Sequence, residues 1–203
     1  MPEIGLFPLE LVLLPTERVP LHVFEPRYKE LVGECLREDR EFGLLLEDEQ
    51  GRRDVGTRAL VVEVLQVFDD GRMNVVVEGR ERFRLLELTD GRSFLTADVE
   101  PIEDVDDPPA TRDVDRVFEL FRRLIAVAEA DVEEPEEPGG PLSFELAARI
   151  DFGQDLKQEL LELTSERKRL RRLAELIERA IVAIEREREV RERASGNGRV
   201  SPA

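Results

Sequence analysis

Several residue types are scarce in this sequence of 203 residues, and each shortage excludes a class of site. The chain has one cysteine, Cys35, one histidine, His22, and no tryptophan. One cysteine cannot form an intramolecular disulfide, a cysteine zinc site or an iron–sulfur cluster. One cysteine and one histidine also fall short of the ligands that a catalytic zinc ion needs. We therefore predict no metal site, and the absence of disulfides is typical of a reducing compartment.

Long apolar runs are also missing, because no stretch approaches the roughly 18 residues of a membrane-spanning helix. Residues 1–15 carry Glu3 and Glu10, whereas a secretory signal carries lysine or arginine and ends in a small-residue cleavage pattern. We therefore expect a cytoplasmic protein with no membrane partner.

Acidic residues greatly outnumber basic ones, 47 against 30, for a net charge of −17. Such a surface repels the phosphate backbone of nucleic acids and anionic membranes. We predict no nucleic-acid partner, and expect proteins or peptides, including unfolded or basic segments. Only three of the basic residues are lysines, which is typical of a GC-rich bacterial genome.

The motifs of common enzyme classes are missing as well. No lysine follows a glycine, so there is no phosphate-binding loop, and no glycine pattern indicates a dinucleotide site. His22 is the single histidine that could activate a serine or cysteine nucleophile, and no serine lies in a nucleophile-elbow motif. We interpret His22 as a structural residue of a strand and predict no catalytic residue and no cofactor.

The first half of the chain has the pattern of a β-rich unit, in which short apolar runs alternate with proline, glycine and aspartate. We predict one helix, 26–38, with Pro26 in its first turn. Asp69, Asp70 and Gly71 form a predicted hairpin turn, and Gly79 is expected to let a strand bend. The predicted strands are 9–14, 19–24, 42–46, 57–68, 72–78, 82–88 and 93–102. Together they favour a small, partly closed barrel or sandwich.

The second half reads as helices. An acidic, proline-rich segment, 103–109, separates it from the first half. An apolar stripe predicts a helix over 114–128, Ser143 and Asp155 are candidate caps of two short helices, and a long helix carries an apolar seam from Leu170 to Ile184. We thus predict an α+β fold: a β-rich pseudo-barrel or sandwich with one helix over 1–107, a helical bundle over 108–194, and a disordered tail over 195–203.

The first half also contains motifs of a known family. The segments FPLELVLLP (7–15), VPLHVFEPRY (19–28) and DGRMNVVVEGRERFR (70–84) resemble the N-terminal, substrate-binding domain of Lon protease. The segments LAARI (146–150) and KQELLEL (157–163) are similar to its helical part, so that the resemblance spans about residues 4–185.

This resemblance implies a stand-alone bacterial recognition domain without the ATPase and protease modules, and hence no enzyme. We expect it to bind unfolded or flexible protein segments in a hydrophobic cleft between its two parts, or along an open sheet edge. The candidate peptide contacts are Phe7, His22, Phe24 and Tyr28, with burial in the core as the alternative for each.

Two other functions stay open at this point. One is a peptidase-related hydrolase that uses His22. The other is an oligomerising protein that acts through the seam Leu170–Ile184, while packing of this seam within its own chain makes a monomer or weak homo-oligomer the expected state.

Overall fold

The computed structural model of the protein describes residues 3–89, 91–135 and 140–196, and it confirms the α+β prediction. Seven strands lie in these residues: β1 (Glu3–Leu9), β2 (Arg18–Val23), β3 (Phe42–Asp48), β4 (Gly51–Arg52), β5 (Val55–Val67), β6 (Met73–Thr89) and β7 (Thr96–Pro101). The same residues contain five helices: α1 (Pro26–Glu38), α2 (Thr111–Ala128), α3 (Leu142–Ala147), α4 (Gln154–Glu162) and α5 (Glu166–Gly196).

The strands form a sheet that closes on itself. Its order is β1-β7-β6-β5-β3, and β1 pairs in parallel with β3, which joins the two ends. β2 pairs with the first half of β6, which β7 does not reach. α1 packs against the barrel and buries Tyr28, Leu31, Val32 and Cys35 in its core. The pairing of β1 with β3 satisfies the backbone hydrogen-bonding groups of both terminal strands, so that these strands do not end the barrel in an open edge.

The first strand differs from its prediction. β1 ends at Leu9, and the apolar run Val12–Leu14 is a buried loop instead of a strand. Side chains satisfy its backbone: the N–H of Leu14 donates to the Glu17 carboxylate at 2.9 Å, and the Thr57 hydroxyl donates to the Leu13 carbonyl at 2.5 Å. The run Val12–Leu14 therefore has the apolar composition of a buried strand, but it does not pair with another strand.

Local signals predicted other elements well. α1 has the predicted bounds, Pro26 opens it, and Gly71 has the positive φ of a hairpin turn, +79°. β6 is one continuous strand where two had been predicted, since Gly79 pairs within it. Ser143 and Asp155 are not caps: α3 and α4 follow Pro141 and Gly153, and neither helix has a side-chain cap hydrogen bond.

The helices pack on the barrel through a shared core. Phe121 of α2 and Ile177 of α5 belong to one buried cluster with Val12, Leu46 and Val55 of the β-rich part. The predicted boundary at 107/108 falls in the connection between β7 and α2. α5 continues through Ser195 and Gly196, and the rest of the predicted disordered tail, 197–203, lies outside the described residues.

Candidate functional site

One part of the sheet lies outside the strand pairing that closes the barrel. β5 pairs with β3 only over Thr57–Ala59, whereas its pairing with β6 continues to Val67. β2 lies on the other side of β6 and pairs with Met73–Glu78. We call β2, residues 73–78 of β6 and residues 60–67 of β5 the distal ribbon.

The β5 strand of the distal ribbon exposes apolar side chains to solvent. Val67 is 65% exposed, and Val62, Val64 and Leu65 are exposed as well. Valine and leucine lose stabilising burial in such a position, and a contiguous exposed apolar surface marks an interaction site more often than isolated apolar residues do.

Three rings lie beside the ends of these strands, and we call His22, Phe24 and Phe68 the aromatic group. The His22 ring centroid lies 5.8 Å from that of Phe24 and 6.2 Å from that of Phe68. Nδ1 of His22 is 2.6 Å from Oδ1 of Asn74, a hydrogen bond that holds the imidazole in place. The Arg72 guanidinium lies 5.1 Å from the Phe68 ring centroid, as in a cation–π contact.

The structure divides the four predicted contacts into two pairs. Phe7 and Tyr28 are both buried and stack with ring centroids 4.0 Å apart, so they occupy the core position that was their alternative. His22 and Phe24 are exposed and adjacent, with Phe24 58% exposed. Sequence reasoning missed Phe68, which is half-buried and lies directly before the hairpin turn.

His22 has no nucleophile beside it among the residues that the structure describes. Its contacts are Asn74 and the two phenylalanine rings, and burial raises the pKa of the Cys35 thiol to about 11. A thiol with that pKa is protonated at neutral pH and is a poor nucleophile. Three serine hydroxyls each donate to a carboxylate: Ser93 to Glu30, Ser143 to Glu166 and Ser165 to Asp107.

A concave surface lies between the barrel and the helices, where the sequence predicted a cleft. Its volume is about 1070 Å³, and its walls include Thr16 and Gly79 on the β side and Phe144 on the helical side. Six acidic and three basic residues line it, so its chemistry is more charged than the predicted hydrophobic cleft.

Arg82 links the two sides of this cleft. It is 5% exposed, and its guanidinium donates to the carbonyls of Leu161 and Leu163, each at 2.8 Å, and to Asp104 at 2.5 Å. Burial lowers the pKa of Arg82, and the Asp104 carboxylate opposes that effect. An arginine in this position joins β6 to the end of α4 through buried hydrogen bonds.

Arg169 of α5 completes the network around Asp104. It is fully buried, donates to Asp104 at 2.7 Å, and stacks over Phe144 with its guanidinium 4.3 Å from the ring centroid. Burial raises the pKa of Asp104, but the hydrogen bonds and positive charges of Arg169 and Arg82 outweigh it and hold that pKa below its usual value. Because these groups satisfy one another, we interpret the network as structural.

Within 3–89, 91–135 and 140–196, no group of histidine, cysteine, aspartate and glutamate side chains is arranged to hold a metal ion. No helix in those ranges combines the length and the apolar character that crossing a membrane requires.

Comparisons with known proteins point in one direction. The family model of the ATP-dependent protease La (LON) substrate-binding domain matches residues 3–179. The Lon protease of Anaeromyxobacter dehalogenans is 31% identical over 186 residues, which are 83% of this chain and 22% of that protein. Lon protease 1 of Hydrogenovibrio crunogenus is 26% identical over 91% of this chain and 24% of its own length. This chain thus spans about a quarter of the length of these relatives.

Solved structures agree with these sequence matches. The Lon N-terminal domain protein from Xanthomonas campestris has a TM-score of 0.66 and 26% identity, with 85% of this chain and 97% of that one covered. The N-terminal domain of the Mycobacterium avium complex Lon protease has a TM-score of 0.67 at 16% identity, over 87% of this chain and 98% of that one, which shows the same fold.

Proposed function

Because this chain belongs to the Lon substrate-binding domain family, as its sequence motifs suggested, we propose that it is a non-catalytic module that recognises unfolded or flexible protein segments. The distal ribbon and the aromatic group form the proposed binding surface. The observation that carries the proposal is the exposure of the apolar residues of β5 in the distal ribbon and of Phe24, which directly follows β2.

The chemistry of this surface fits clients without a fixed fold. Unfolded segments expose apolar side chains, and aromatic residues such as Phe24 and Phe68 offer large contact areas at a small entropic cost. Binding would bury the exposed valines and leucine, and the removal of this apolar surface from water would stabilise the complex.

The charge of the chain and the contacts of His22 support a basic client and a non-catalytic role. A net charge of −17 favours basic clients over acidic ones. The contacts of His22 support a non-catalytic role, because they are an amide and two rings. We further propose a cytoplasmic location and a monomer or weak homo-oligomer, since the apolar seam of α5 is buried against its own chain.

The proposal is tested by titrating the protein, without ATP, into a fluorescein-labelled protein kept unfolded by reduction and alkylation. We expect fluorescence anisotropy to rise while the probe stays intact on a gel. Replacing Phe24 and Phe68 together by serine is expected to raise Kd about tenfold or more, which is the loss typical of removing aromatic anchors from an interface.

A matched control separates this loss from a general effect of surface change. Val190 on α5 is exposed and apolar but lies outside the distal ribbon, so Val190→Ser should leave Kd unchanged. Unaltered binding by the double phenylalanine variant would move the site elsewhere, and the absence of binding by the unmodified protein would refute the proposed function.

A further inference from the structure

We propose that the outer edge of β5, residues 60–67, binds its client by strand addition, and that the client is an extended segment in which apolar and basic side chains alternate. This inference rests on the proposed function and adds to it the mode of binding and the chemistry of the client. We refer to residues 60–67 as the β5 edge.

The β5 edge is open along its whole length. Beyond Ala59, β5 no longer pairs with β3, and within 3–89, 91–135 and 140–196 no other strand takes its place. β6 still pairs with the inner side as far as Val67. At about 3.3 Å per residue the open edge is about 25 Å long, and its outward N–H and C=O groups are free to pair with an extended chain.

The composition of the β5 edge favours such pairing. Its sequence, LVVEVLQV, is rich in β-branched residues and lacks the proline and lysine that commonly protect sheet edges. Bulges occur between Val61 and Glu63 and between Val64 and Gln66, so the edge twists, but Glu63 is the one charge within it.

Charge selects a basic client over a second copy of this chain. Glu63, in the edge, and Asp69, at the tip of the hairpin, form no ion pair with any residue that the structure describes. Two β5 edges side by side would bring these acids together on molecules that each carry a net charge of −17, whereas a lysine or arginine of a client would pair with them.

The register of the distal ribbon predicts the alternation in the client. Residues that pair across strands have their side chains on the same face of the sheet, and we call each such set of paired residues a row. Successive rows lie on opposite faces. One face carries apolar rows: Leu21–Val75–Val64 and Val23–Met73–Val67. The opposite face carries the rows Pro20–Val76–Glu63 and His22–Asn74–Gln66. An added strand continues these rows, with apolar residues beside Val64 and Val67 and a basic residue beside Glu63.

The test uses a fluorescein-labelled peptide in which valine and lysine alternate, titrated with the full chain. We expect it to bind, and a peptide with glutamate in place of lysine to bind at least tenfold more weakly. Hydrogen exchange of amides in the β5 edge should slow on binding. Methylating alternate peptide amides should abolish binding in one register and spare it in the other, because one edge of an added strand pairs with β5.

A charge exchange tests the predicted position of the basic side chain. Glu63→Lys should weaken binding of the lysine peptide and strengthen that of the glutamate peptide, each about tenfold. Glu187→Lys on α5 changes the net charge equally but is remote from the β5 edge, and should leave both affinities unchanged. Circular dichroism confirms that the variants are folded.

The outcomes distinguish this inference from the function on which it rests. If the unfolded protein binds but both methylated peptides bind alike, or the lysine peptide does not bind, strand addition is refuted and the recognition function stands. If the unfolded protein does not bind, the proposed function itself fails. If two copies of the chain associate through the β5 edge and exclude the peptide, the basic client is refuted.

Discussion

At the scale of single residues, Gly79 shows how one position holds a barrel strand against a buried loop. Its N–H donates to the Glu17 carbonyl at 2.9 Å, and its carbonyl accepts from Thr16 N–H at 2.8 Å. A Cβ atom at this position would lie 2.1 Å from the carbonyl oxygen of Leu14. Glycine is required at this position because two backbones approach closely.

Gly79→Ala should therefore destabilise the protein. The methyl group meets backbone that cannot move aside cheaply, so we expect the free energy of unfolding to fall by about 2 kcal/mol, as for overpacked cores. Urea denaturation followed by circular dichroism measures this. Gly33→Ala in α1 is the control, because its Cβ would have no atom within 4 Å, and it should be neutral or stabilising. Equal stability of both variants would contradict the close approach.

At the scale of elements, α5 illustrates how far a pattern in the sequence predicts packing. Its apolar seam was expected from helical spacing, and Leu170, Leu173, Ile177 and Ile181 are indeed buried. The partner that covers them is α2 of the same chain, through residues such as Phe121. The seam is thus part of the intramolecular core, and residues 186–191, farther along the helix, are exposed and mostly charged.

Ile177→Ala is expected to lower the free energy of unfolding by about 3 kcal/mol, since it removes a fully buried side chain and leaves a cavity. Val190→Ala, on the same helix but exposed, should change that free energy by less than about 0.5 kcal/mol. Thermal and urea denaturation of both variants check this prediction. A seam that mainly served oligomerisation would instead show Ile177→Ala changing the sedimentation coefficient while leaving monomer stability intact.

At the scale of the whole molecule, Asp104 and its two arginines hold the barrel and the helices together. The network connects β6, the segment after β7, the end of α4 and α5, beside a core that both parts share. Because Arg82 and Arg169 are buried, removing the carboxylate between them leaves Arg82 without an ion-pair partner and Arg169 with Glu166 alone.

The lowered pKa of Asp104 predicts that acid weakens this connection. The unfolded chain binds a proton at the ordinary aspartate pKa of about 3.9, whereas the folded protein binds it only at lower pH. The resulting stability is present above the ordinary pKa and is lost as pH falls through the folded value. Urea denaturation from neutral to acidic pH should show this decrease.

Asp104→Asn tests the assignment of that decrease. The variant should lose about 3 kcal/mol at neutral pH, because the buried Arg82 loses its carboxylate partner and Arg169 keeps only Glu166. Its stability should also depend less on pH in the acidic range. Asp70→Asn is the control: the pKa of Asp70 is also lowered, first by a hydrogen bond from the Arg72 backbone, but that pair is exposed. An unchanged pH dependence in Asp104→Asn would contradict the role assigned to this carboxylate.

The sequence by itself determined the elements whose signals are local. Pro26 and the helical spacing of α1 predicted both ends of that helix, the Asp69–Gly71 turn predicted the hairpin, and the motifs of the first half indicated the family. In each case the residues that decide the structure are neighbours in the chain, so periodicity and turn chemistry suffice.

Only the tertiary structure decided which distant segments meet. The parallel pairing of β1 with β3, the stacking of Phe7 on Tyr28, and the contact of His22 with Phe68 join segments far apart in sequence. The open β5 edge also arises there, because β3 ends its pairing at Ala59. The sequence around an aromatic or β-branched residue looks the same whether the residue is buried or exposed to solvent. Only the packed chain therefore distinguishes core residues from those of a binding surface.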